Sequence, residues 1–400
     1  MSAQENEKRT AKDIFDDIPF PLKIVVVVGT LFIFYTIYHL IFVNFYTRET
    51  ELKPALLRVI TVAASKGIFD PAIATDGKDS LMTVTNAYED ATGLFGTNVA
   101  LVVSYDNCKS WAPLGVLFES RPDTLMGPDL KTPVGKGIWR AETTGIVYDP
   151  ADTGREWKAY AYRYFWGGSA PLARLYSVIT MRTASNPFEM KNWSREEWVF
   201  SASPGTPPAP YANMVGGHLN TLHADLANVY FYARPSVVMV GDVMVMSLSA
   251  FVQGKDTVDR VIMLASTDHG RSWRYLGTPL RDSELAGIDP GLTRLGGASI
   301  FMQEGVLYIS FALGNTASDA AGAYIFAFED AGTGKLARDA KTGKLVPVSE
   351  VKTLRQPPSK LGGGHMSYAK SCEEGTIFSE SLDNKRFDLF FLPRAPVPHK

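Results

Sequence analysis

Two patterns of apolar residues divide the chain. Residues 23–46, KIVVVVGTLFIFYTIYHLIFVNFY, form one apolar run with no charge after Lys23. A helix of about 20 apolar residues crosses a bilayer, and Tyr35, Tyr38, Phe45 and Tyr46 crowd the second half as an interfacial belt would. The run is too long for a cleaved signal peptide, and no A-x-A-like site follows it. It predicts a single transmembrane helix with the lipid bilayer as partner, a polar tail over 1–22 and a linker over 47–65. Past residue 66 the pattern changes. Short runs rich in Val, Ile, Tyr, Phe and Thr alternate with Gly/Pro/Asp/Asn turns, and no long amphipathic helix interrupts them. Period-2 runs bounded by turn residues predict an all-β domain over 66–395.

Five segments of that domain share one outline: a polar or special residue, small residues, an apolar run, a turn and a second strand. They begin at Asp70 (DPAIATDGKDSLMTV), Glu142 (ETTGIVYDPADTG), Arg234 (RPSVVMVGDVMVMSLS), Gly297 (GASIFMQEGVLYISFA) and His365 (HMSYAKSCEEGTIFSES). Their spacing exceeds the repeat of about 40–50 residues in common propellers, but suits four-stranded blades with long loops. The expected fold is therefore a five-bladed β-propeller preceded by the single N-terminal transmembrane helix.

Two turns repeat within it. SYDNCKSW (104–111) and STDHGRSW (266–273) agree at Ser, Asp, Ser and Trp, each after an apolar strand, with Cys108 where the second copy has Gly270. An eroded third copy is TASNPFEMKNW (183–193). Asp and Ser side chains bond nearby backbone N–H groups, and glycine takes a positive φ. The outline S-x-D-x-G-x-[ST]-W resembles the Asp box of sialidase-like β-propellers. The strand pattern also resembles the five-bladed arabinanase, xylosidase and invertase-like glycosidases, in which the starts of the inner strands face a central pocket. The first resemblance implies the architecture and not an activity, because Asp boxes lie away from the active face.

Composition narrows the function. A formal charge of −2 with no basic run gives no reason to expect nucleic acid. Two cysteines, Cys108 and Cys372, without a CxxC, exclude zinc fingers, iron–sulfur clusters and c-type haem. They leave one intramolecular disulfide open. No motif asks for a cofactor. His218, His223 and Asp225 in GGHLNTLHAD lack helical metal-pair spacing, and a loop metal site is the alternative considered there. His39 within the span has two readings, contact with a partner helix or pigment and a neutral imidazole near the interface. Basic residues balance across the span, Lys8, Arg9, Lys12 and Lys23 against Arg48, Lys53, Arg58 and Lys66. The positive-inside count is thus a tie. An uncleaved first helix acting as a signal-anchor places the propeller on the periplasmic or extracellular side.

If the segment starts line one axis, Asp70, Glu142, Arg234 and His365 converge, with Trp139, Arg140 and Tyr164 as wall residues. Glycoside hydrolysis needs two carboxyls, one to protonate the leaving oxygen and one to act as base or nucleophile. Resemblance to the five-bladed glycosidases implies Asp70, in Asp70–Pro71, as the base, and matches His365 to a last-blade histidine. Their third-blade carboxylate is replaced by Arg234, and Glu142 in WRAETTG is outside their usual motif. No FRIP-like arginine motif of the sialidases is present. Structural readings stand beside these: Asp70–Pro71 as a turn, Arg140 and Glu142 as an internal ion pair. Two functions follow, a membrane-anchored glycosidase binding a carbohydrate, with Asp70 as base and Glu142 as acid, or a non-catalytic propeller serving a membrane-protein complex.

Overall fold

The computed structural model describes residues 19–21, 27, 30–32, 34–36, 55–57 and 59 of the N-terminal part. From residue 66 onward it describes all but 90–94, 127–131, 167–177, 203–216, 256, 316–317, 353–362, 382–386, 394 and 398–400. The chain divides into two units, Met1–Lys53 and Pro54–Lys400. In the first, the described residues are helical from Phe20 on, with Thr36 Oγ1 donating to Phe32 O at 2.8 Å. Among the described residues no helix is long and apolar enough to cross a membrane. The span expected over 23–46 lies largely outside them.

The second unit is all-β. It opens with β1 (Ala55–Leu56) and continues as antiparallel meanders. The first contains β2 (Gly67–Thr75), β3 (Ser80–Glu89), β4 (Phe95–Ser104) and β5 (Ala112–Phe118). The second contains β6 (Arg121–Met126), β7 (Pro133–Tyr148), β8 (Trp157–Trp166), β9 (Val178–Ala184) and β10 (Glu197–Phe200). The third contains β11 (Val229–Val240), β12 (Val243–Val252), β13 (Arg260–Ser266) and β14 (Arg274–Arg281). In the fourth, β15 (Arg294–Gln303), β16 (Val306–Asn315) and β17 (Ser318–Asp330) are joined by the short β18 (Lys335–Leu336) and by β19 (Ser349–Lys352). The fifth is β20 (Gly363–Ala369), β21 (Gly375–Ser381) and β22 (Phe387–Leu392), with β1 as its outer strand.

The strands β2, β7, β11, β15 and β20 touch in that cyclic order, and β20 returns to β2. Each sheet is therefore covered on both faces, which is why its strands read as near-continuous apolar runs rather than strict alternation. A separate core fills each gap between neighbours: Leu81 and Leu101 meet Ile146 and Trp157, while Tyr160 and Met181 meet Val237 and Met246. Val261 and Met263 meet Ile300 and Phe311, and Phe301 meets Met366 and Phe378. Across the last gap Met82 and Val84 meet Ile377 and Leu389.

That last gap is where the ring closes, and the closure is built from parts far apart in sequence. β2 pairs in parallel with β22 at Gly67–Phe387, and β1 pairs with β22. Gly67 has φ +95°, and a Cβ there would collide with the Phe387 backbone, so this approach requires glycine. Ser80 Oγ donates to Ser371 Oγ at 2.6 Å. Cys108 and Cys372 form a disulfide with Cα atoms 5.1 Å apart, bolting the first meander to the fifth. Residues expected as linker thus supply β1, the strand that completes the fifth meander.

The two similar turns share their Ser/Asp hydrogen bonds, although the Trp273 indole donates to Gly270 O at 3.1 Å while that of Trp111 has no partner among the described residues. Ser104 Oγ donates to Asp106 Oδ1 at 2.8 Å and accepts from Cys108 N at 2.8 Å. Ser110 N and Oγ donate to the Asp106 carboxylate at 2.9 and 2.6 Å. Ser266, Asp268, Gly270 and Ser272 repeat this at 2.8, 2.8, 2.8 and 2.5 Å. Trp111 and Trp273 are buried beneath their turns.

Candidate functional site

All five innermost strands slip register at one equivalent place. The breaks fall between Phe69 and Ala72, Glu142 and Thr144, Ala233 and Ser236, Leu295 and Ala298, and Gly363 and Met366. A bulge leaves a residue unpaired and re-aims its side chain. Three of these residues adopt left-handed backbone: Asp70 (φ +51°), Thr143 (+39°) and Arg234 (+58°). The position therefore carries Asp70, Thr143, Arg234, Gly297 and His365 around the axis. Thr143, and not Glu142, is the second meander's counterpart of Asp70. Glu142 stands one residue earlier, still paired with Tyr162. The strand stretches beginning at this ring, such as 70–73, 143–146 and 365–368, line an axial cavity of about 30 Å³. A water needs about 10–15 Å³ by this measure, so water fits inside and a sugar ring does not.

At the end of the cavity the ring residues bond to one another. Thr143 Oγ1 donates to Asp70 Oδ2 at 2.5 Å, and Thr143 N donates to Thr85 Oγ1 at 3.0 Å. His365 Nδ1 is 3.9 Å from Asp70 Oδ1. His365 and Arg234 share the space over Gly297: a Cβ there would collide with the imidazole and lie 2.7 Å from Arg234 Cδ. Burial pulls the His365 pKa down to about 4, the Asp70 charge opposing and the Arg234 charge assisting. The imidazole is thus neutral at physiological pH, and its Nε2 is buried with no hydrogen-bond partner.

Beside the ring lies a second cluster. Tyr164 donates its hydroxyl to Glu142 Oε1, and Arg140 Nη1 approaches the Tyr164 hydroxyl at 3.4 Å. Arg140 also donates to Phe95 O, and its guanidinium lies 4.5 Å from the Trp166 ring centroid and 5.1 Å from that of Phe95. Such stacking holds a cation where no carboxylate pairs with it. Burial raises the Glu142 carboxyl above its ordinary range, against the Tyr164 hydrogen bond and the Arg140 charge. Burial likewise drives the Tyr164 hydroxyl well above the phenol range, with the Glu142 charge adding to it.

Of the residues expected here, Asp70, Arg234 and His365 share the ring, and Glu142, Arg140 and Tyr164 share the adjoining cluster. The two sets feel one another, since the charges of Asp70 and Arg234 both act on Glu142. Trp139 belongs to neither. Adjacent strand residues face opposite ways, and its indole donates to Asp123 Oδ2 at 3.0 Å and packs edge-on against Phe165. Thr143 joins the site unforeseen, and Gly297, expected only as a segment start, joins it by leaving room for its neighbours. The signal for Thr143 was available: a small residue then an apolar or aromatic one recur at the third and fourth places, as Ala72–Ile73, Gly145–Ile146, Ser236–Val237, Ser299–Ile300 and Ser367–Tyr368. His218 and His223 take separate partners, Ser201 Oγ at 2.7 Å and the Tyr275 ring at 4.7 Å. Among the described residues no three His, Cys, Asp or Glu stand together as metal ligands.

Five-fold contact of inner strands around an axial cavity defines a β-propeller, with polar side chains gathered at one end of the axis. No family model matches the chain, and no curated protein matches it. Solved structures similar to it include a levansucrase variant from B. megaterium, at 11% identity and TM-score 0.48, covering 86% of this chain and 89% of that one. Another is a xylan β-1,4-xylosidase from Bacillus halodurans, at 16% and 0.46, covering 84% and 54%. A third is a protein of unknown function from Dyadobacter fermentans, at 12% and 0.47, covering 84% and 98%. The chain thus spans about half the length of the xylosidase.

Proposed function

We propose that the chain is a membrane-anchored, five-bladed propeller hydrolase that cleaves a glycosidic bond outside the cytoplasm. The observation that carries this reading is two carboxyls in unlike surroundings, Asp70 in the ring and Glu142 in the adjoining cluster, close enough for the Asp70 charge to act on Glu142. Glu142, whose carboxyl burial shifts upward, is the proton donor to the leaving oxygen. Asp70, oriented by Thr143, is the base that takes the proton of the attacking water. The cavity below has room for water, so the sugar sits at the mouth. Residues 23–46 are the anchor, and the Cys108–Cys372 bridge supports an oxidising side of the membrane for the propeller.

The test is release of 4-nitrophenol from a panel of aryl arabinosides, xylosides, fructosides and uronides by the full chain in mild detergent. Turnover that falls about 100-fold or more in D70N, and in E142Q falls more on an unactivated disaccharide than on the 4-nitrophenyl glycoside, fits general acid–base work. Absence of turnover on every substrate sinks the hydrolase. The second reading, a non-catalytic subunit of a membrane complex, draws on Asp70 being bound to Thr143 and on a cavity too small for a sugar.

A further inference from the structure

We infer that the mouth of the ring takes an acidic sugar, whose carboxylate is held by Arg234 beside Asp70 and Glu142. This deepens the hydrolase reading and rests on its placing the scissile bond at that mouth. Arg234 is only partly exposed and makes no hydrogen bond or ion pair among the described residues. Three other sequestered cations are paired with acids, while Arg182 is held by three backbone carbonyls and Arg140 by a carbonyl and rings. Lys158 reaches Asp149 and Asp152 at 3.0 and 2.9 Å, Arg163 reaches Glu196 at 2.6 Å, and Arg260 reaches Asp259 at 2.7 Å. Drawing a guanidinium out of water without an acid is unfavourable.

Backbone geometry adds to that cost. Arg234 has φ +58°, a region unfavourable for a side-chain-bearing residue that gathers at functional sites. Gly297 gives up a side chain so that Arg234 and His365 occupy the same mouth. The nearby Arg140 also lacks an acid at ion-pair distance among the described residues and is held by carbonyl and rings. The ring therefore sets the Arg234 guanidinium beside an Asp70 carboxylate already engaged by Thr143, with Arg140 buried in the adjoining cluster. A planar carboxylate offers two coplanar oxygens to the guanidinium fork. The buried, unpartnered Nε2 of His365 is placed for a sugar hydroxyl. A neutral sugar would leave the Arg234 charge desolvated and unpaired, a loss that sites built for a polar group turn into strong rejection.

The experiment is calorimetric titration of the full chain in detergent with trigalacturonate, galactotriose and inorganic phosphate. Trigalacturonate is expected to bind at least about tenfold more tightly than galactotriose, the equivalent of about 1.4 kcal/mol. R234Q should erase the difference and R234K should retain part of it, with thermal unfolding of each variant checking the fold. Equal binding of the two trisaccharides, binding of neither, or a preference that survives in folded R234Q overturns the inference. Phosphate competing as well as trigalacturonate also overturns it, since the site then reads a bare anion. Turnover of neutral glycosides without uronate binding sinks this inference alone; uronate binding without turnover of any glycoside sinks the hydrolase alone.

Discussion

Removing the Cys108–Cys372 bridge tests how the ring is held shut. The bonded residues are 264 apart in sequence, and the chain-entropy relation gives about 5–6 kcal/mol for a loop of that length, with about 2–4 kcal/mol typical in practice. The two ends of the bridge are not equivalent. Cys108 has φ +65° and occupies the place of Gly270 in the sister turn, where φ is +83°. A left-handed non-glycine residue costs roughly 1–2 kcal/mol, and a glycine gives back about 0.4–1 kcal/mol through the freer unfolded chain. C372A should therefore lose about 2–4 kcal/mol, and C108G should lose about 0.5–1 kcal/mol less.

The assay is urea unfolding of the full chain in detergent without reductant, followed by tryptophan fluorescence, with peptide mass spectrometry of the unreduced protein for the bond. Trp111 lies in the same core as both cysteines, so the probe sits at the seam. An unreduced wild type with the midpoint of C372A would show that the bridge does not hold the closure. C108G less stable than C372A would show that the turn does not strain Cys108.

Three further outcomes follow from the site and the second turn. His365 has its pKa lowered from 6.5 to about 4, so the unfolded chain takes up its proton first. Stability should be full above about pH 6.5 and should fall as pH drops towards 4; H365Q should flatten that part of the unfolding free energy, and identical pH curves would refute it. G297A should keep the fold but push both the imidazole and the Arg234 side chain aside, removing the same pH dependence; a crystal structure with His365 unmoved would refute the close packing. D268A removes the acceptor for Ser266, Arg271 and Ser272 and should cost about 1–3 kcal/mol, read as a lower urea midpoint.

The strands were legible because each sheet is buried on both faces, so runs such as Leu81–Met82 and Ile262–Met263–Leu264 stand out from their turns. The two Ser/Asp/Ser/Trp turns were legible for a different reason: their hydrogen bonds are local, so the spacing itself encodes them. The closure was not legible. Nothing in Ala55–Leu56 announces a strand, because its pairing is with Phe390 and Phe391, and such a bridge is decided by the whole ring.

Glu142 and Thr143 show where local reading of a site ends. Chemistry singled out the glutamate, since a carboxyl beside an arginine attracts notice, while a threonine in a β-run does not. The bulge settles which of the two occupies the ring, and a bulge is a relation between β7 and β8 rather than a property of either. Its consequence is a division of labour. Thr143 reaches across to the first meander and fixes Asp70, while Glu142 stays in its own sheet with Tyr164, where burial shifts its carboxyl upward. Had Glu142 held the ring position, two carboxylates would crowd one side of the axis, and like charges resist joint ionisation. One residue of register separates the ring's Thr143 from Glu142, and across the ring Arg234 has no ion pair among the described residues.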